Sequence, residues 1–529
     1  MTAFDFDDDD VVVVVGSGAG GGTLANELCQ HGLKTVVLEA GPHLTAEDYV
    51  NDEWEAFGQM AWTDPRTTTG TFKLHEDFPE LPAWIVKAVG GTTTHWAGAC
   101  PRFKPYELHA RTTYGDIEGA SLLDWPITLS ELEPYYERAE IKMGVSHRHG
   151  RPPLPANNNY KVFAGGAEKL GYRQYATGPY ATNATPYDDR PATVQDGFNF
   201  QGDKQGSKWS TLVAELPKAE RTGRLDLRPD SHAVRILHDN KGRATGVLYA
   251  DGDGTLRRQR ARVVCVAGNS IETPRLLLLS RSALFPDGLA NSSGQVGRNY
   301  MRHTTGTAWG QFERPVRMYR GETMAGCISD ESGLDTGRGF VGGYYMQTIS
   351  LGPAFFASFV APGGWGPEFT KYLDGYLNTA GMWIVGEDMP RSTNRVTLSD
   401  SVTDDHGLPV ANVHVDDHPN DVAMREHGLR QGRAVYEAVG AVRTIETPPY
   451  PSTHNLGTCR MSERPRDGVV DRYGRAHDVP NLFVSDGSQF TTGAAANPTL
   501  TIVSLAIRQA EYIAGDYRAT ASDTSRSSR

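Results

Sequence analysis

Five consecutive valines, Val11 to Val15, form an unbroken apolar run that predicts a strand buried on both faces. The turn GSGAGG follows, then an apolar-periodic helix from Thr23 to about His31, and after Gly32 a second strand, Lys34 to Leu38, ending at Glu39. From there to about Pro82 the pattern loosens into Trp, Thr, Pro and acidic residues, the composition of a lid or binding segment. The stretch Asp124 to Met143 predicts a turn and a helix, with Ser130 as cap and Glu133 completing a capping box. Residues 151–209 show little periodicity and read as an irregular insertion. Strand patterns resume over Arg224 to Leu237, turn near Asp251, and return in the apolar Val263 to Ala267, which runs into a helix with Pro274 in its first turn. Residues 311–440 alternate aromatic and Gly-rich strands with loops, the signature of an antiparallel sheet. A short strand, NLFVSDG from Asn481, precedes a helix from Pro498 to about Ala514, and the Ser/Thr/Asp/Arg-rich tail beyond Tyr517 predicts disorder.

Composition narrows the class. The chain has 529 residues, 39% of them apolar and 22% charged, the balance of a globular protein, and length alone suggests about three domains. Its 64 acidic and 52 basic side chains give a net charge of −12, which argues against nucleic-acid and anionic-membrane partners. Cys29, Cys100, Cys265, Cys327 and Cys459 show no metal spacing and no disulfide framework, and the acidic start MTAFDFDDDD differs from a secretory leader. No apolar run reaches membrane-spanning length. A cytoplasmic protein with no metal site is expected.

Gly16, Gly18 and Gly21 match the dinucleotide fingerprint in its required strand-turn-helix context. The first glycine allows the tight turn, the second lets backbone approach a pyrophosphate, and the third lets helix meet strand. Glu39, at the end of the second strand, is placed to accept from ribose hydroxyls, and the helix N-terminus faces the anion.

Segments far along the chain decide which dinucleotide. VVVGSGAGGG, GGTTTHWAGACPRF, VVCVAGNSIETPRLLLLS, GQVGRNYMRHT, THNLGTCRM around His454 and SDGSQFTTGAAANPTLTI around Asn497 occur in an order that resembles the glucose-methanol-choline (GMC) flavoenzymes over nearly the whole length. Within that family THWAGACPRF and the His/Asn pair are most similar to pyranose 2-oxidases and bacterial C-glycoside 3-oxidases. The resemblance implies FAD, with His454 as the base that takes the hydroxyl proton of a sugar or glycoside as hydride passes to the flavin N5. Asn497 would bind the substrate oxygen, and its place before Pro498 is also that of a helix N-cap. It further implies that Gly90, Gly91 and Thr92 line the flavin, that Val234 and Gly268 lie near the adenosine, and that Asp486, Gly487, Pro498 and Thr499 contact the cofactor. His95 occupies the position that carries a covalent flavin link in pyranose oxidases; a non-covalent cofactor is the favoured expectation here.

These readings combine into an α/β fold, α+β overall: a Rossmann-like FAD-binding domain from residues 1–45, 84–105, 210–310 and 440–516, and a substrate-binding domain with an antiparallel sheet from 106–209 and 311–439. Residues 46–83 form a lid segment and 517–529 a disordered tail. The expected reaction is oxidation of a secondary hydroxyl, C3 or C2, to a ketone with O2 reduced to H2O2. The alternatives are a sugar or polyol dehydrogenase with a quinone or cytochrome acceptor and, from another class, a non-catalytic flavin-fold binding protein. Gluconate and fructose dehydrogenase subunits resemble the chain too, but their mid-chain cysteines have no counterpart in QDGFNFQGDKQGSKW.

Overall fold

The computed structural model describes residues 3–58, 60–61, 65–71, 85–447 and 454–527. Its first sheet has five strands in the order Leu482–Val484, Val263–Val266, Val12–Val15, Thr35–Leu38, Leu225–Arg228, all parallel. The valine run is buried on both sides as its sequence requires: Val11, Val13 and Val15 enter one apolar cluster, and Val12 and Val14 enter another. Chain order reverses between Val12–Val15 and Val263–Val266, so the crevice beyond their C-terminal ends is the topological switch point, where open α/β sheets bind ligands. An antiparallel meander, His232–His238, Ala244–Ala250 and Leu256–Arg260, stands apart from this sheet.

A second sheet of six strands runs Arg443–Glu446, Thr304–Gln311, Thr379–Gly386, Tyr344–Thr348, Cys327–Ile328, Tyr175–Ala176, antiparallel throughout. Strand alternation divides its side chains between two faces. Ala308, Met382 and Ile384 pack toward the helix Pro419–Ala438, which comes close because Gly428 has no Cβ; one there would lie 2.7 Å from Ile384 Cγ2. Trp309, Trp383 and Val385 face the other way and join an aromatic cluster with Phe355, Phe356 and Phe359 of the helix Pro353–Val360.

The structure corrects two local expectations. The helix Leu129–Met143 is capped by Thr128 and not Ser130: Glu131 Oε2 accepts from the Thr128 N–H at 3.0 Å. Both pairs have capping-box spacing, and the earlier one prevails. Pro274 lies inside the helix Asn269–Leu279, beyond its first turn. The carbonyl that it leaves without an amide donor, Ser270 O, accepts instead from Thr458 Oγ1 at 2.7 Å. The C-terminal helix runs from Thr499 to Ser527. Among the chain's aromatics, Trp84 lies outside the described residues, Trp365 is 87% exposed, and Tyr372 has the Arg443 guanidinium 4.8 Å from its ring centre.

Candidate active site

The glycines at the switch point are there because a side chain would collide. Gly16 has φ +94°, and a Cβ on it would stand 2.5 Å from Ala267 O; one on Gly21 would stand 2.1 Å from Gly16 O. Gly21 therefore brings the helix Ala19–Gln30 onto the strand, as the fingerprint requires. Gly20, which sequence reasoning passed over, is tighter still: its Cβ would meet Ser485 O at 1.5 Å. Gly18 and Gly91 touch backbone to backbone, since a Cβ on Gly91 would lie 2.9 Å from Gly18 Cα. Ser17 joins the same parts. Its Oγ accepts from the Gly90 N–H at 2.9 Å and donates to Glu39 Oε2 at 2.6 Å. Glu39 also accepts from the amides of Ser17 at 2.9 Å and Gly41 at 3.1 Å; burial pushes its pKa up and these hydrogen bonds oppose the rise.

Gly16, Gly18, Glu39, Gly91, Thr92 and His95 line one cavity of about 700 Å³, together with Gly268, Asp486, Gly487, Pro498, Thr499, His454 and Asn497. Its size falls in the range of roughly 300–1,000 Å³ typical of small-molecule sites. Gly21, Gly90 and Val234 stand back from it. Gly90 acts from behind, its φ of +92° turning the chain into the short helix Gly91–Thr94. Val234 is the extra residue of a bulge, between the pairs Ala233–Tyr249 and Arg235–Leu248, so its neighbours His232 and Ala233 face the cavity instead. Asp486 joins two strand ends, taking Asn269 N at 2.9 Å and Thr273 Oγ1 at 2.6 Å on one oxygen and Ser488 N at 2.8 Å on the other. His95 is fully buried with Nδ1 2.8 Å from Thr94 Oγ1; burial, with Lys208 nearby, pushes its pKa down to about 3 and keeps it neutral.

The far end of the cavity holds the His/Asn pair. His454 Nδ1 lies 2.9 Å from His303 Nδ1, and His303 Nε2 lies 3.0 Å from Gly493 O. A carbonyl only accepts, so His303 Nε2 carries the proton. Burial lowers the pKa of His303 and holds it neutral, so its Nδ1 is an acceptor and the shared hydrogen belongs to His454 Nδ1. The lone pair of His454 is thereby on Nε2, which faces Asn497 Nδ2 at 3.4 Å. Burial, reinforced by His303, pushes the His454 pKa well below its ordinary value. Gln347 Nε2 donates to Asn497 Oδ1 at 2.6 Å, which orients the amide. Asn497 is therefore not the N-cap that its sequence context suggested: the first helical bond runs from Ile502 N to Pro498 O at 2.9 Å, and the Asn497 side chain turns to Gln347 and His454.

Two residues of this end escaped the sequence reading. His303 belongs to the quoted MRHT segment and has φ +60°, an uncommon conformation for histidine; Asp388 holds it by accepting from the Arg302 amide at 2.7 Å and from the His303 amide. Gln347 is an ordinary strand residue until the fold delivers it.

A glycine cradle at the switch point of a parallel sheet, sharing a cavity with an imidazole lone pair and an oriented amide, defines a dinucleotide-dependent oxidoreductase. The chain belongs to the GMC oxidoreductase family. It matches the family's N-terminal part over residues 81–305 and its C-terminal part over 390–506, and residues 14–59 match the NAD(P)-binding Rossmann-like domain. It is 36% identical to 2-methyl-1,2-propanediol dehydrogenase of Mycolicibacterium austroafricanum, covering 93% of each chain. With the C-glycoside 3-oxidase of Arthrobacter globiformis it shares 28% identity over 86% of this chain and 80% of the other. Pyridoxine 4-oxidase from Mesorbium loti has the same fold, with a TM-score of 0.67 at 16% identity, covering 95% of this chain and 99% of that one. Family membership makes the cavity an FAD site, and its residues fit: the Gly18–Gly91 approach leaves no side chain in the cradle, and the first turn of the helix Ala19–Gln30 carries no acidic residue to oppose a pyrophosphate.

Proposed function

We propose that the chain oxidises a CH–OH carbon to a carbonyl with His454 as the base. The observation that carries the reading is the lone pair on His454 Nε2, beside the Asn497 amide and on the same cavity as the dinucleotide cradle. Bound FAD supplies the hydride acceptor. His454 Nε2 takes the hydroxyl proton, because an alkoxide gives up hydride far more readily than an alcohol. Asn497 Nδ2 donates to the same oxygen. His303 accepts from His454 Nδ1, which fixes the tautomer before the reaction.

The motifs support a sugar or glycoside substrate oxidised at a C3 or C2 secondary hydroxyl, with O2 as acceptor and H2O2 as product, and the C-glycoside 3-oxidase relative agrees. A quinone-type acceptor is the second reading, favoured by the relative whose name is a dehydrogenase. Non-covalent FAD remains the reading at His95; yellow colour left wholly in the supernatant after acid precipitation would support it. A cytoplasmic location draws support from five unpaired, buried cysteines, and among the described residues no helix is long and apolar enough to cross a membrane. Anaerobic bleaching of the flavin by an alcohol panel, followed by air, tests the whole reading. Bleaching with peroxide on reoxidation supports an oxidase, bleaching relieved only by a dye or quinone supports a dehydrogenase, and a colourless protein refutes both.

A further inference from the structure

The wall that the described residues form beyond the base is apolar. Beyond His454 and Asn497 the cavity is lined by Phe200, Met324, Ile349, Leu351, Phe359 and Trp383. These six come from separate parts of the chain: Trp383 from the inner face of the second sheet, Phe359 from the helix Pro353–Val360, Phe200 from the irregular insertion, and Ile349, Leu351 and Met324 from loops beside the strands. They belong to one packed cluster, backed by Phe355 with its ring centre 5.5 Å from that of Phe200 and by Phe356 5.1 Å from Trp309. The Trp383 ring leans over His454 at 5.6 Å, and its Nε1 is sealed from solvent, so the tryptophan offers the cavity hydrocarbon surface.

Polar groups are few at this end among the described residues. Thr323 lines the cavity, but its hydroxyl proton is committed to Gly197 O at 2.9 Å. Gln347 is engaged with Asn497 through both ends of its amide. A hexose brought to His454 by one hydroxyl would press several others against carbon. Each hydroxyl placed in an apolar pocket without a partner is worth roughly 100-fold in discrimination, and several compound the loss.

From this wall we infer the substrate class: an alcohol whose reacting carbon carries a compact hydrocarbon body, in preference to a free, polyhydroxylated sugar. The inference rests on the proposed role of His454 and sets this class in place of the sugar or glycoside that the motifs support.

The test compares cyclohexanol, trans-1,2-cyclohexanediol and D-glucose, matched in ring size, as anaerobic reductants of the FAD-loaded protein, read as the rate of flavin bleaching at each concentration. The expected order is cyclohexanol, then the diol, then glucose, with kcat/KM for cyclohexanol at least about 100-fold above that for glucose. Met324→Gln, which puts an amide into the wall at similar volume, is expected to narrow that gap about tenfold. Tightness of cyclohexanone binding, read from its perturbation of the flavin spectrum, checks the wall without turnover. Glucose reducing the flavin as well as cyclohexanol, with cyclohexanone failing to bind, overturns the substrate class and leaves the base intact. No bleaching by any of the three while cyclohexanone binds overturns the role of His454 and, with it, an inference about its substrate.

Discussion

Replacing His303 by alanine separates the two things it does for His454. The substitution removes the acceptor 2.9 Å from His454 Nδ1 and the donor 3.0 Å from Gly493 O. A buried N–H left unsatisfied costs roughly 1–3 kcal/mol. The His454 imidazole escapes that cost by shifting its proton to Nε2, which turns the base into a donor. At 1.4 kcal/mol per tenfold, the active tautomer and the bleaching rate should fall about 10- to 100-fold. The pH profile moves as well. As the proposed base, His454 works unprotonated, so the rate is lost as pH falls through its pKa; burial and His303 together set that pKa well below the ordinary value of 6.5. Without His303 the acid limb should move up toward 6.5. His303→Asn is the control, because asparagine tolerates the left-handed backbone at φ +60° and its Oδ1 can again accept from Nδ1, so most of the rate should return. Stopped-flow bleaching from pH 5 to 9, with FAD content and Tm measured on each variant, supplies the readout. An alanine variant with normal FAD content, an unchanged acid limb and a rate within twofold of the native protein would refute the tautomer argument.

Three further outcomes follow from the geometry. Gly20→Ala should abolish soluble, FAD-loaded protein, because its Cβ would lie 1.5 Å from Ser485 O, whereas Gly18→Ala, with Gly91 Cα 3.9 Å away, should fold and bind FAD more weakly; equal expression and equal FAD content in the two variants would contradict this. The pKa of His95, held down near 3, makes the folded protein bind fewer protons than the unfolded chain below pH 6.5, so stability present in full above that pH is lost as pH falls. Between pH 6.5 and 5 this amounts to at most about 2 kcal/mol, and apo His95→Asn should lose correspondingly less on acidification in denaturant titrations at the two pH values. Asn497→Asp replaces the donor toward the substrate oxygen by a carboxylate and should lower kcat by about 100-fold or more at unchanged Tm; unaltered turnover would remove Asn497 from the reaction.

How much of this was legible in the sequence depends on whether a residue works through its neighbours in the chain or across the fold. The Gly16–Gly21 turn and the valine strand are local devices, fixed by backbone sterics within a few residues, and they stand where the pattern put them. Glu39 was found as a strand-end acid, but its hydrogen bonds to Ser17 and Gly41 depend on the turn closing over it. Val234 is the extra residue of a bulge, which reverses side-chain parity in a way that no period-two pattern signals. Asn497 shows the sharper limit. The Asn-Pro signal for a cap is local and sound, yet Gln347, 150 positions earlier, offers its amide a partner at 2.6 Å and takes it from the helix. Pro274 is the same lesson in reverse: a residue that local rules confine to a first turn is tolerated deeper because Thr458, 188 positions from Ser270, satisfies the carbonyl it frees. The chemistry at the far end of the cavity is of this second kind throughout. His454 has a defined tautomer only because the strand beginning at Thr304 delivers His303, Gly493 fixes His303, and Asp388 at the end of the neighbouring strand holds the backbone that aims it. The proposed base is therefore a property of the second sheet as much as of the histidine, and substitutions there that never touch substrate should appear in its pH profile.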